Sequence, residues 1–167
     1  MKIDLKKLKL HSHATEVFHL QALGRDAYLR DIGGRYIEPV NVELVVENNG
    51  NLFIGKGKLY TVIELSCSRC LEKFSYTIAA NFGLTMAEKT YQDYPEEDED
   101  IIFFERDEAD ITSYIEQVIF TEIPFKPLCD NECQGLCPLC GINRNIDKCE
   151  CQQEFLDPRW EKLKKLK

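Results

Sequence analysis

Seven apolar residues, Phe74, Tyr76, Ile78, Ala80, Phe82, Leu84 and Met86, fall at every second position and predict a long strand with one buried and one solvated face. Val40, Val42, Leu44 and Val46 repeat the pattern, and Asn48-Asn49-Gly50-Asn51 follows, suited to the positive φ of a hairpin turn. Between these strands lies Leu52–Ser66, whose alternation changes parity. Leu52 and Ile54 give way to Leu59, Thr61, Ile63 and Leu65 across Gly55 and Gly57, which predicts a bulge or bend. Cys67-Ser68-Arg69-Cys70 then joins this segment to the Phe74 strand, so the three form an antiparallel meander whose second connection is a Cys-x-x-Cys turn. Ile3 and Leu5 are placed to begin an edge strand, while residues 19–38 carry only weak patterns.

Further along, Ile101-Ile102-Phe103-Phe104 reads as a short strand. Asp110 is placed to cap a helix in which Ile111, Tyr114, Ile115, Val118 and Ile119 share one face, with Pro124 and Pro127 beyond its end. Asp157-Pro158 opens a second helix that aligns Trp160, Leu163 and Leu166 and turns lysines to the other side. The expected class is α+β: an antiparallel β-meander with a C-terminal helix and a Cys-rich zinc-binding module. Its expected parts are a β-rich domain over 1–92 carrying the Cys-x-x-Cys turn, an acidic loop over 93–110, and over 111–167 a helix, the Cys-rich module and a basic C-terminal helix. We find no internal repeat.

Charge sharpens this division. The 167 residues carry a formal charge of −8, but residues 93–110 hold ten acids against one base, Arg106, for a net −9, so the remainder is +1. Both ends are basic, with Lys2, Lys6, Lys7 and Lys9 against Asp4, and Arg159, Lys162, Lys164, Lys165 and Lys167 against Asp157 and Glu161. An acidic chain of this kind is not a bulk nucleic-acid coat, although local basic footprints are compatible with it. At 44% hydrophobic and 30% charged the composition is that of a globular protein. No run nears the roughly 18 apolar residues of a membrane span, and residues 1–10 lack the apolar core of a secretory signal. A cytoplasmic protein is the expectation.

In that compartment eight cysteines point to metal rather than disulfides. Six lie between Cys129 and Cys151: Cys129-x-x-x-Cys133, Cys137-Pro138-Leu139-Cys140-Gly141 and Cys149-x-Cys151. Eight thiolates divide into two tetrahedral Cys₄ sites, so two structural Zn²⁺ ions are expected, with no open position for catalytic water. The preferred division joins Cys137, Cys140, Cys149 and Cys151, leaving Cys67 and Cys70 to meet Cys129 and Cys133 across 58 intervening residues. A swapped division, with Cys67 and Cys70 facing Cys137 and Cys140 as in a zinc ribbon, stays open. With both ions bound to thiolates the formal charge becomes −12. His11, His13 and His19 sit in polar sequence and are expected to be solvated rather than ligating.

Several of these residues together resemble the YceD family, the large ribosomal RNA subunit accumulation proteins of bacteria and chloroplasts. They are Cys67-Ser68-Arg69-Cys70-Leu71, Glu122-Ile123-Pro124, Gly135-Leu136-Cys137-Pro138-x-Cys140-Gly141-x-Asn143, Cys149-x-Cys151 and Asp157-Pro158-Arg159-Trp160-x-x-Leu163. The resemblance runs from the meander to the end and implies a non-enzymatic factor for large-subunit ribosomal RNA accumulation or processing. Its partner would be ribosomal RNA or a pre-ribosomal particle, met directly or through a ribosomal protein, with no membrane involved. The bases available for RNA contact are Arg69, Lys73, Arg144, Lys148, Arg159, Lys162, Lys164 and Lys165. Trp160 is placed either to stack on a base or to bury against Leu156 and Leu163. Two other readings remain: an adaptor that holds a basic ribosomal protein through the acidic loop, and a zinc-thiolate redox sensor. A ribonuclease is disfavoured by the lack of a nucleophile–base pattern or a phosphate-cradling loop.

Overall fold

The computed structural model describes residues 1–89 and 101–151. The predicted helix at 157–167, Trp160 and the acids of 93–100 lie outside the described residues.

The predicted meander forms. Strand β4 (Val40–Asn48) pairs with β5 (Leu52–Ser66), and β5 pairs with β6 (Lys73–Glu88), each antiparallel. Before them come β1 (Lys2–Asp4), the short helix α1 (Lys6–Lys9), β2 (Thr15–Ala22) and β3 (Arg35–Tyr36). After them come β7 (Ile101–Phe104), β8 (Glu108–Asp110) and helix α2 (Thr112–Glu122). The main sheet runs β2-β4-β5-β6-β7, with β3 also paired to β5, and β7 lies parallel to β6. Residues 101–110, counted within the acidic stretch, therefore hold two strands. The second of these pairs with β1 in a separate two-stranded sheet. Thus Ile3 does lie in a strand, while Leu5 falls just beyond it.

One face of the main sheet is the core. Val42, Leu44 and Val46 of β4, Phe53, Leu59 and Ile63 of β5, and Ile78, Leu84 and Met86 of β6 are buried there. Ile3, Leu5, Leu8 and the Ile111, Ile115 and Ile119 stripe of α2 cover them. Ile111 takes the N-cap position of α2. Asp110, one residue earlier, accepts from the Thr112 hydroxyl and, at 2.9 Å, from the Thr112 N–H, and the hydroxyl bond first, with the N–H, holds the carboxyl below its usual range against partial desolvation. The sheet's other face carries no second layer among the described residues.

Two expectations change. The ladder from β5 to both neighbours keeps one register throughout, so Gly55 and Gly57 mark no bulge. They lie on the core face in line with Phe53 and Leu59. A Cβ on Gly57 would lie 2.5 Å from the Phe82 ring and 2.8 Å from the Glu43 carbonyl, and one on Gly55 would lie 2.8 Å from Leu84. The glycines make room for large side chains crossing from β6. Gly57→Ala is expected to cost about 1–3 kcal/mol through overpacking, read as a lower urea midpoint; an unchanged midpoint would show that the ring can move aside. The true bulge lies along the β4 edge of β5, in the step between β3 and β4, where the register shifts. There the N–H groups of Ile37 and Glu38 both bond the Val62 carbonyl, at 2.9 and 3.1 Å, just before Pro39.

The second change is β2. It forms the sheet edge, but outward Val17 and half-buried, inward Glu16 blur its alternation.

Candidate metal centres

The tip of the β5–β6 hairpin has the form of a metal-binding knuckle. Ser66 pairs with Lys73 at the end of the ladder. Inside it the Cys67 N–H bonds the Glu72 carbonyl at 2.9 Å and the Leu71 N–H bonds the Cys67 carbonyl at 2.9 Å. The same design recurs at Cys137, where Leu136 bridges Asn143. There the Cys137 N–H bonds the Ile142 carbonyl at 2.8 Å, and the Gly141 N–H bonds the Cys137 carbonyl at 2.9 Å. The residue after the second cysteine is left-handed in both turns, Leu71 at φ 62° and Gly141 at φ 75°.

Glycine accepts that conformation and leucine is strained by it. Leu71 is 66% exposed, so its side chain returns little burial in exchange. Leu71→Gly is therefore expected to strengthen the first knuckle by up to about 1 kcal/mol. The check is a chelator titration, in which metal should be retained to a higher chelator concentration. Earlier release would show that the Leu71 side chain contributes more than its backbone costs.

The first knuckle is docked to the C-terminal segment by its own backbone. The Ser68 N–H bonds the Pro127 carbonyl at 2.8 Å, and the Leu136 N–H bonds the Arg69 carbonyl at 3.1 Å. Gly135, at φ 70°, lets that contact close, since a Cβ there would lie 3.1 Å from the Arg69 carbonyl. These bonds bring the thiols into two groups. Cys67, Cys70, Cys129 and Cys133 form one, and Cys137, Cys140, Cys149 and Cys151 the other, with the sulfurs of each group within 4.8 Å of one another. The swapped grouping is not the one the fold assembles.

All eight are free thiols. In the first group Cys67 Sγ lies 3.7 Å from Cys133 Sγ and Cys70 Sγ lies 3.6 Å from Cys129 Sγ. Four sulfurs around a Zn²⁺ at about 2.3 Å would be about 3.8 Å apart, so the spacing fits a tetrahedral soft-metal site. Three of the four first-group cysteines are buried, against one in the second.

The electrostatics suit a dication. Burial pushes the Cys67 thiol up, but the N–H groups of Cys129, Cys70 and Arg69 outweigh it and draw the pKa down to about 6. The N–H groups of Cys140 and Leu139 likewise bring Cys137 to about 6 against its burial. The last proton in each group is held instead. Desolvation of the sulfur and then the neighbouring sulfurs push Cys129, the exposed member of its group, up to about 12, and Cys140 with desolvation does the same to Cys151. A Zn²⁺ would relieve this crowding of charge and displace the protons. Around the sulfurs, Asn145 Nδ2 donates to Cys133 Sγ at 3.3 Å, and Arg144 reaches Cys137 Sγ at 3.7 Å. Both support the thiolates from outside the ligand set.

Sequence reasoning gave no hint of Asn145, which lies between Cys140 and Cys149 and carries that loop onto Cys133. It also accepts the Gln134 N–H at 2.7 Å.

The bases put forward for RNA contact fare differently. Arg69 donates to the carbonyl of Cys133 at 2.8 Å, Lys73 pairs with Glu64 at 2.9 Å, and Arg144 faces sulfur. Lys148 is exposed. Arg159, Lys162, Lys164 and Lys165 lie outside the described residues. His11, His13 and His19 are exposed and apart from both sulfur groups.

A family model described as "Large ribosomal RNA subunit accumulation protein YceD" matches residues 55–167. A chloroplastic YCED homolog 1 of Arabidopsis thaliana is 30% identical, over 71% of this chain and 46% of its own length. Its counterpart in Zea mays is 30% identical over 74% and 52%. The chain thus spans about half the length of these plant relatives. An uncharacterized protein of Mycobacterium tuberculosis is 30% identical over 84% of this chain and 66% of its own. No solved structure matches the chain.

Proposed function

Because the chain belongs to the YceD family, we propose that it is a non-enzymatic factor in the accumulation or processing of large-subunit ribosomal RNA, with Zn²⁺ as a structural ion in both Cys₄ groups. The observation that carries this reading is the family match, which spans all eight cysteines and so includes both sulfur groups. The closed, all-sulfur donor sets support a structural ion, since neither leaves a position for a reactive water.

The place of action in this reading is the cytoplasm, or the plastid in the chloroplastic relatives. Among the described residues no helix is long and apolar enough to cross a membrane. Depleting the protein in its own host is expected to lower mature large-subunit ribosomal RNA relative to small-subunit RNA, measured by electrophoresis of total RNA. An unchanged ratio, with the protein verified absent, would remove the reading.

A further inference from the structure

Among the described residues the main sheet buries one face and leaves the other open, and that open face is not a neutral surface. On β5, Lys56, Lys58 and Tyr60 point outward in succession, and all three are exposed. In register beside them stand Glu43 of β4, opposite Lys58, and Asn81 and Gly83 of β6, opposite Lys58 and Lys56. Two hollows flank Lys58. One, of about 410 Å³, is bordered by Glu43, Lys58 and Tyr60; the other, of about 470 Å³, by Glu43, Lys56, Lys58, Asn81 and Gly83.

Two details mark the face as a binding surface. Arg35 and Lys73, further along the same sheet, both pair with Glu64, yet Lys56 and Lys58 make no ion pair among the described residues. Gly83 is the second detail. A Cβ there would meet only the Gly55 carbonyl, at 3.8 Å, which is ordinary contact, and its φ is not in the left-handed range. The fold has room for a side chain at Gly83, whereas the hollow above it depends on there being none. Glycine inside a strand is otherwise unfavourable and often marks the close approach of a ligand.

We propose that this open sheet face binds a single-stranded segment of RNA directly, with Tyr60 stacking on a base, Lys56 and Lys58 meeting phosphates, and Asn81 reading a base edge. The proposal rests on the ribosomal RNA reading above and names the surface that serves it. A phenol ring, two cations about 6.6 Å apart along the strand and an exposed amide are the groups that recognise unstacked bases on a sheet. A duplex conceals its base faces and has no use for the ring or the hollows. Glu43 between the hollows keeps the face from attracting polyanions indiscriminately. Two phosphate contacts imply a shallow salt dependence, with a log–log slope of about −1.4 on a single strand.

The test is a binding titration of the full chain with a labelled single-stranded RNA of roughly 16 nucleotides and mixed sequence, at two salt concentrations. Tyr60→Ala is expected to weaken binding roughly tenfold. Lys56→Glu with Lys58→Glu should weaken it and bring the salt slope near zero. Gly83→Val should weaken it without lowering the melting temperature, separating a filled hollow from a damaged fold.

Full binding by all three variants, with loss on Lys162→Glu, Lys164→Glu and Lys165→Glu, would place RNA elsewhere and overturn the sheet proposal while leaving the ribosomal reading standing. Unchanged RNA binding in sheet variants that lose a co-purifying protein would also overturn it, making the face a protein surface. If the wild-type chain binds no RNA, the sheet proposal falls; the ribosomal RNA ratio on depletion then decides separately whether the ribosomal reading falls with it.

Discussion

A chain carrying Cys67→Ser and Cys70→Ser is expected to lose one of two Zn²⁺ ions and to become open to protease within residues 123–132. Cys140→Ser with Cys149→Ser should also lose one ion, yet leave that segment protected. The asymmetry follows from what each group joins. Cys137, Cys140, Cys149 and Cys151 lie within fifteen residues, so an ion there would hold only a local unit. Cys67 and Cys70 belong to the tip of the β5–β6 hairpin, and their partners come after 58 intervening residues. Tying off a loop of that length contributes on the order of 4 kcal/mol by removing freedom from the unfolded chain, a large share of the about 5–15 kcal/mol that holds a typical domain together. Without the ion, the segment keeps the Ser68–Pro127 and Arg69–Leu136 backbone bonds and Arg69's bond to Cys133, while the small cluster of Cys67, Cys70 and Cys133 on which Phe74 and Leu128 pack loses two of its sulfurs. Metal content per chain and the positions of first cleavage are the measurements. Equal protease sensitivity in the two double variants would refute the unequal roles.

Asn48→Asp is expected to be the most damaging single change in the sheet, and its effect should depend on pH. Asn48 is buried at the end of β4, where its amide donates to the carbonyls of Leu8 at 2.7 Å and His11 at 3.1 Å while its oxygen accepts the Gly50 N–H at 2.9 Å. Among the described residues no buried side-chain nitrogen or oxygen lacks a partner, and this side chain joins the α1 segment to the hairpin turn. An ionised aspartate keeps the bond from Gly50 but sets a buried negative charge against two carbonyl oxygens. Each unmet buried group costs about 1–3 kcal/mol, so a loss of about 3 kcal/mol or more is expected near pH 7. Burial and the facing carbonyls raise the folded-state pKa of the new carboxyl above its unfolded value. The protonated form, able to donate to one carbonyl, is therefore favoured by folding. Part of the lost stability should return as the pH falls through that raised pKa and vanish again as it rises. Urea midpoints for wild type and variant at pH 5 and pH 8 test this (both values chosen to bracket a raised carboxyl pKa, about 4 when unperturbed). A gap between the two proteins that is the same at both pH values would mean that no such pKa shift occurs.

The residues that announced themselves did so through period. Alternation along β4 and β6 and the helical stripe from Ile111 to Ile119 each reflect a single buried face, and they were legible. β2 was not, because its outward face carries Val17 and its inward face Glu16, so edge position and partial burial erased the contrast. Gly55 and Gly57 were legible as exceptions but not in kind: a glycine gap looks the same whether the chain bends or a neighbour's ring fills the space, and only the position of Phe82 distinguishes them. In the metal centres, ligand identity was plain from Cys-x-x-Cys spacing. The preferred grouping, with the four contiguous cysteines together, is the one the fold assembles, whereas the Gly135–Arg69 contact that docks the first knuckle is not encoded in spacing. Asn48 looked like a turn residue and is a buried staple. The open face of β5 went unnoticed because Lys56, Lys58 and Tyr60 look, one at a time, like ordinary solvent-facing positions of an amphipathic strand.

The hairpin-tip knuckle has a consequence for the order in which the chain matures. During synthesis Cys67 and Cys70 leave the ribosome as half of a ligand set and wait for more than fifty further residues before Cys129 and Cys133 appear. The second group, by contrast, has all its ligands within a single short stretch. Local contacts close quickly and distant ones slowly, so cobalt added to the metal-free chain should be taken up in a fast and a slow phase, with the slow one absent from Cys67→Ser. The early pair thus acts as a register of completeness: its site closes only on a chain translated at least as far as Cys133.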